Sequence, residues 1–147
     1  MNHQGNKTPL VASLLLTAFA STGTSVVWNG LPFIAKRDYE FSETENLTMY
    51  LLIGLVYVLG AITSGRGISL LRFCCSTRTS IGLLLFIQTV VFSFPLFYKA
   101  PWVIWCAGGV AAACSAWLWP TVESYLVAGR HGKEMRRAIG WWNIVWM

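Results

Sequence analysis

Charged residues are scarce in this chain: Asp, Glu, Lys and Arg make up 12% of its 147 residues. A soluble domain contains about 25%, so roughly half of the usual charge is missing. Four stretches of 28, 20, 20 and 23 residues contain no charged side chain. They lie between Lys7 and Lys36, Glu45 and Arg66, Arg78 and Lys99, and Lys99 and Glu123. Together these stretches leave no room for a soluble core.

The uncharged stretches predict membrane helices. A helix needs about 20 apolar residues to cross a hydrocarbon core of roughly 30 Å. In lipid the backbone N–H and C=O groups must hydrogen-bond to one another, so only helices and closed barrels span a bilayer. Barrel strands alternate apolar and polar residues, whereas these stretches are continuously apolar. We therefore predict an all-α polytopic membrane protein, with four complete transmembrane helices and a fifth that stops partway, in contact with the lipid bilayer.

Several kinds of chemistry find no support in the sequence. Metal-ligand spacings, nucleophile elbows and phosphate loops are absent, and the two histidines, His3 and His131, fall in a tail and a loop. Cys74 and Cys75 lie in a basic loop and the other two cysteines lie in the fourth span, so a disulfide framework is not expected. We predict no enzyme, no metal site and no cofactor.

The distribution of charge and proline sets the predicted segment boundaries. In chain order they are a tail (1–8), TM1 (9–35), an outer loop (36–46), TM2 (47–65), a cytoplasmic loop (66–79), TM3 (80–98), TM4 (101–128), a second cytoplasmic loop (129–137) and the start of TM5 (138–147). Ten residues cover only about half a bilayer, so we expect a truncated product or fragment. A cleaved signal peptide is the rival for TM1, but the apolar run continues to Ile34, which favours a retained helix.

Basic residues give the expected orientation. Eight Lys and Arg residues fall in the tail and in the loops after TM2 and TM4, and three fall in the opposite loops. The positive-inside rule then puts the N-terminus in the cytoplasm. We expect the protein itself to lie in a plasma (inner) membrane. The net charge of +5 follows from this topology, so no nucleic acid partner is expected.

Polar residues inside the spans are the candidates for a substrate path. Thr17 and Thr24 share one face of TM1, although such hydroxyls often bond back to their own helix. Gln88 lies in the middle of TM3, where bonding to a neighbouring helix is the competing role. Glu123 in TM4 is either a solute-contacting or proton-coupling acid, or the partner of a base such as Arg130.

The layout resembles the N-terminal part of a major facilitator superfamily transporter. The resemblance rests on the cytoplasmic N-terminus, the basic loop after TM2, the short link between TM3 and TM4, and two motifs. One motif is the glycine-rich TM4 that leads from Gly108 to Pro120, and the other is the acid-and-arginine turn at 134–140. After TM2 the stretch 60–67 keeps the family's glycines and a basic residue but lacks its acid, which places the family's gate latch in doubt.

The resemblance implies a fold, a function and a set of site residues. The fold is two six-helix halves, so the missing C-terminal half would be a partner of this fragment. The function is alternating-access transport of an unknown small solute, with a coupling ion such as H⁺, and the fragment alone is not expected to transport. TM1 and TM4 would line the cavity, which adds Asn29 to Thr17, Thr24 and Glu123 as candidates. Cytoplasmic gate candidates are Gly60, Arg66, Glu134 and Arg136.

A second class of function stays open. A small non-transporting subunit or assembly protein would act through helix packing, for which the tryptophan-rich end and the small residues of TM4 are suited. The nucleotide sequence beyond the codon for Met147 distinguishes the two. A frame that continues through seven more apolar spans favours the transporter, and a genuine stop favours the subunit.

Overall fold

The computed structural model describes residues 8–146, except for the side chains at 71 and 72, and contains five helices, with no strand in that range. The helices are α1 (Leu10–Tyr39), α2 (Glu43–Cys74), α3 (Thr77–Phe97), α4 (Pro101–Val127) and α5 (Gly132–Trp146). The first four are long and apolar enough to cross a membrane. The predicted all-α, polytopic membrane fold is confirmed. Of the predicted tail, only Thr8 belongs to the described residues.

Helix ends differ from the predicted boundaries. Helix α2 runs on through Arg66 to Cys74, across much of the predicted loop 66–79, and α5 begins at Gly132 rather than 138. Charge marks the place where a helix leaves the apolar layer, and a helix can continue beyond that place. The start of α2 carries a capping box, in which Ser42 N donates to Glu45 Oε2 at 2.8 Å and Glu45 N donates to Ser42 Oγ at 3.2 Å.

Helix α4 is the centre of the bundle. In its most apolar window 56% of residues are buried, against 22% or less for α1, α2 and α3. It packs along α2 on one side and along α3 on another. Its small residues, among them Gly108, Ala112 and Ala116, are buried in these contacts. Small side chains let helix backbones approach closely, which is the usual basis of packing in lipid.

The outer surface of the bundle is apolar. Large side chains such as Phe19, Phe33, Ile62 and Phe86 have between 65% and 77% of their surface exposed. Soluble monomers rarely expose such extended apolar area, whereas lipid tails solvate it. The four spanning helices and this surface indicate an integral membrane protein.

Candidate functional site

Polar side chains from four helices lie at the same level of the bundle. Thr24 of α1, Tyr57 of α2, Gln88 of α3 and Ser115 of α4 each lie within two residues of the middle of their helix. Because these helices each span the apolar layer, their midpoints fall near the centre of the bilayer. Polar groups at that depth are costly unless they have partners or line a cavity.

Two cavities adjoin this polar level. The first has a volume of about 360 Å³ and is formed by α1, α2, α4 and α5; we call it the four-helix cavity. Its lining includes Ser21, Thr24, Asn29, Tyr57, Ser115 and Trp119. The second has a volume of about 500 Å³ and lies between α1 and α3; we call it the α1–α3 cavity. Its lining includes Phe19, Thr24, Trp28, Gln88, Thr89 and Ser93.

A hydrogen bond between α3 and α4 connects the walls of the two cavities. Ser115 Oγ donates to Gln88 Oε1 at 3.3 Å, and both side chains are buried. Ser115 lines the four-helix cavity, Gln88 lines the α1–α3 cavity, and Thr24 lines both. The two cavities are therefore neighbours across a thin polar layer. This arrangement brings together two of the predicted path residues, Thr24 and Gln88.

The candidate hydroxyls of α1, Thr17 and Thr24, donate to their own helix, whereas Ser21 Oγ donates to Trp146 O of α5 at 3.4 Å. Thr17 Oγ1 donates to Ser13 O at 2.9 Å, and Thr24 Oγ1 donates to Ala20 O at 2.8 Å. Asn29 behaves likewise, since its Nδ2 donates to Ser25 O at 2.8 Å. Their oxygens still have lone pairs that can accept a bond from a solute. Thr17 is fully buried and belongs to neither cavity, whereas Thr24 and Asn29 line the four-helix cavity.

Glu123 lies apart from both cavities. Its side chain is exposed on α4, and it forms no ion pair with any side chain that the structure describes. The pairing with Arg130 that the sequence suggested is not formed. Arg130 is instead buried, and its guanidinium donates to the carbonyl oxygens of Leu126 and Thr8. These bonds attach the segment before α1 to the end of α4.

Gly60, one of the gate candidates, lies in the packed contact between α2 and α4. A Cβ at this position would lie 2.8 Å from Ala116 Cβ. Its carbonyl oxygen accepts a hydrogen bond from Trp117 Nε1 at 3.1 Å. The indole ring of Trp117 also covers Gly67, where a Cβ would lie 2.6 Å from the ring. Gly60 and Gly67 are thus required for close packing.

The other gate candidates are at the surface. Arg66, Glu134 and Arg136 are exposed. Sequence reasoning missed Tyr57 and Ser115 as members of the site, and it missed Trp117 as the residue that contacts Gly60 and Gly67. The signal for Tyr57 was a phenol within an uncharged stretch.

Comparison with known proteins gives no match: no family model, no curated protein and no solved structure is similar to this chain. The resemblance to the major facilitator superfamily therefore rests on the sequence motifs described above.

Proposed function

We propose that this chain is the N-terminal part of a secondary transporter of the major facilitator kind, which moves a small solute by alternating access. We place it in the plasma (inner) membrane, with the N-terminus in the cytoplasm and the remaining transporter helices as partner. The observation that supports the proposal most is the four-helix cavity, where Thr24, Asn29 and Ser115 meet near mid-depth. Secondary transporters bind solutes near the midplane, between helices that rock against each other.

The lining of the four-helix cavity favours an uncharged solute. None of the described residues that line it carries a charge. Hydroxyl and amide groups from Ser21, Thr24, Ser25 and Asn29 provide hydrogen-bonding atoms on one side. Indole rings from α1, α4 and α5 provide flat apolar area on the others. Mixed linings with a few polar groups are typical of sites for small organic molecules.

The proposal requires water to reach the four-helix cavity, and cysteine accessibility tests this. The four native cysteines are first replaced by alanine or serine, and Thr24→Cys and Asn29→Cys are introduced singly. A positively charged methanethiosulfonate reacts only with thiols that contact water, so we expect both positions to react. The matched control is Val26→Cys, on the same helix, with 68% of its surface exposed and no part in either cavity. We expect it to stay unreactive in lipid.

The opposite result favours the competing function. If Thr24→Cys and Asn29→Cys react no faster than Val26→Cys, the interior is dry and no solute path exists. The chain would then act as a non-transporting subunit through helix packing. The small-residue contact between α2 and α4 is the observation that favours such a role.

A further inference from the structure

A third cavity lies at the end of the bundle where α3 begins and α4 ends. It has a volume of about 490 Å³ and lies beside the turn that joins α2 to α3; we call it the turn pocket. Its lining consists of Cys75, Ser76, Thr77, Ser124, Tyr125 and Ala128. It shares no lining residue with the four-helix cavity or the α1–α3 cavity, so it is separate from the proposed solute path.

The side chain of Arg78 lies beside this pocket and is held on one edge. Its Nε donates to Tyr125 Oη at 2.7 Å, and its guanidinium carbon lies 5.8 Å from the centre of the Tyr125 ring. Arg78 is exposed, and it forms no ion pair with any side chain that the structure describes. Its two terminal nitrogens therefore present their N–H groups outward. A guanidinium fixed in this way matches the oxygens of a phosphate group.

The end of the bundle around the turn pocket is strongly basic. Its acidic residues are Glu123 and Glu134, whereas its basic residues include Arg66, Arg78, Arg130, Lys133, Arg136 and Arg137. None of the residues that line the pocket is acidic. At the opposite end the basic side chains are paired with carboxylates, as in Lys36 with Glu43 and Lys99 with Asp38. The excess of positive charge around the turn pocket favours an anionic partner.

The depth of Arg78 places it at the level of lipid headgroups. Helix α3 has 21 residues, which cover about 30 Å and just span the hydrocarbon core, and Arg78 is its second residue. Tyr125 lies two residues before the end of α4. Both side chains are therefore close to the edge of the hydrocarbon core, where the polar headgroups begin. A phospholipid phosphate is the anion that is always present at this level.

The face of α3 that follows Arg78 into the membrane is open to lipid. Gly82 and Phe86 succeed Arg78 at intervals of four residues, so they lie on the same side of the helix. Both are exposed, Phe86 with 65% of its surface, and a Cβ at Gly82 would meet no atom within 4 Å. A phospholipid bound through its phosphate would lay an acyl chain over Gly82 and against Phe86. A free phosphate ion would gain nothing from this surface.

We propose that the turn pocket binds one anionic phospholipid, whose phosphate oxygens accept hydrogen bonds from the Arg78 guanidinium. Tyr125 is a positioning residue, because its bond to Nε holds the guanidinium beside the pocket. The hydroxyl groups of the pocket wall provide further polar contacts for the headgroup. This site does not require the chain to be a transporter, and its test is independent of water access to the four-helix cavity.

Native mass spectrometry of the full chain in detergent micelles counts the bound lipids directly. Dioleoyl phosphatidylglycerol is anionic, whereas dioleoyl phosphatidylcholine has the same chains and phosphate but adds a cationic choline. We expect the first phosphatidylglycerol to bind roughly fivefold more tightly than phosphatidylcholine, the factor that one basic side chain near a lipid surface contributes. A higher ammonium acetate concentration should weaken this binding. Glycerol 3-phosphate at the concentration of the lipid should not displace it.

Three variants test the guanidinium and its orientation. Arg78→Gln should weaken phosphatidylglycerol binding about tenfold, because charge-assisted hydrogen bonds to the phosphate are lost. Arg137→Gln is the matched control, since it removes the same charge from an exposed side chain at the same end but outside the pocket; its effect should stay below about twofold. Tyr125→Phe keeps the ring but loses the bond to Nε, so it should weaken binding about threefold. In the Arg78→Gln background it should have no further effect.

Circular dichroism verifies that each variant keeps its helices. The proposal is overturned if the two lipids bind equally, or if Arg78→Gln and Arg137→Gln weaken binding to the same extent, which would indicate a general attraction to the basic end. Displacement by glycerol 3-phosphate would overturn the assignment to a lipid and indicate a site for a soluble phosphate. An additive effect of Tyr125→Phe on Arg78→Gln would overturn the positioning role of Tyr125.

Discussion

Replacement of Gly60 by alanine should force α2 and α4 apart. The added Cβ would lie 2.8 Å from Ala116 Cβ and 3.5 Å from Ala113 Cα. Carbon atoms in optimal contact are roughly 3.5–4.0 Å apart, so the helices must separate by about 1 Å. The Ala116 methyl cannot rotate away, because it is attached directly to the α4 backbone. The strain must therefore be relieved by a movement of one whole helix against the other.

The expected cost is measured against a second glycine on the same helix. Gly54 is exposed, and no atom lies within 4 Å of the place where an added methyl group would sit, so Gly54→Ala adds no clash. Both substitutions gain up to about 1 kcal/mol from the higher helix propensity of alanine. Overpacking typically costs about 1–3 kcal/mol. We expect Gly60→Ala to have a free energy of unfolding lower than that of Gly54→Ala by this amount.

Equilibrium unfolding in mixed micelles, with SDS as denaturant and far-UV circular dichroism as signal, gives the two free energies. A double variant, Gly60→Ala with Ala116→Gly, restores the space and should recover most of the loss. The coupling between the two sites should then exceed about 0.5 kcal/mol, as is usual for residues in contact. Equal stability of Gly60→Ala and Gly54→Ala, or no recovery in the double variant, would refute the close packing of α2 on α4 at this point.

Three further substitutions have expected outcomes in the same unfolding assay. Trp117→Phe loses the Nε1 bond to Gly60 O and should cost about 1 kcal/mol; an unchanged midpoint would contradict the bond. Arg130→Met loses the guanidinium bond to Thr8 O, so it should cost about 2 kcal/mol and increase protease cleavage before α1. Unaltered cleavage would exclude that attachment. Glu123→Gln should stay within about 0.5 kcal/mol of the parent, and a larger loss would reveal a partner for this exposed carboxylate.

The number and type of helices could be predicted from the sequence because lipid imposes one rule on every residue of a span. The backbone must form its hydrogen bonds within the span, and charged side chains are rare in the apolar layer. Each charge-free stretch therefore corresponds to one long helix. Helix ends follow a different rule, since outside the apolar layer a helix stops only where capping or a turn stops it. Arg66 is charged, yet α2 continues for eight residues to Cys74.

The members of the site could be predicted only in part. Thr24 became a candidate because polar residues in a span are conspicuous, and Asn29 because the family resemblance puts TM1 at the cavity; both line the four-helix cavity. Ser115 was interpreted as one of several small packing residues, because sequence spacing does not say which side of α4 faces α3. Gly60 was assigned to a gate by resemblance, whereas its position against Ala116 gives it a packing role. That contact depends on the register of two helices, which the sequence of either helix alone does not specify.

Gln88 shows why the two interpretations of a membrane amide need not exclude each other. One interpretation joins helices and the other binds a ligand, and the sequence presented them as alternatives. A carboxamide has one oxygen that accepts and one nitrogen that donates twice. Bonding to Ser115 engages the oxygen, whereas the buried nitrogen has no hydrogen-bond partner among the described residues. The bond between α3 and α4 thus fixes the amide in place, so that one side chain both joins two helices and forms part of a cavity wall.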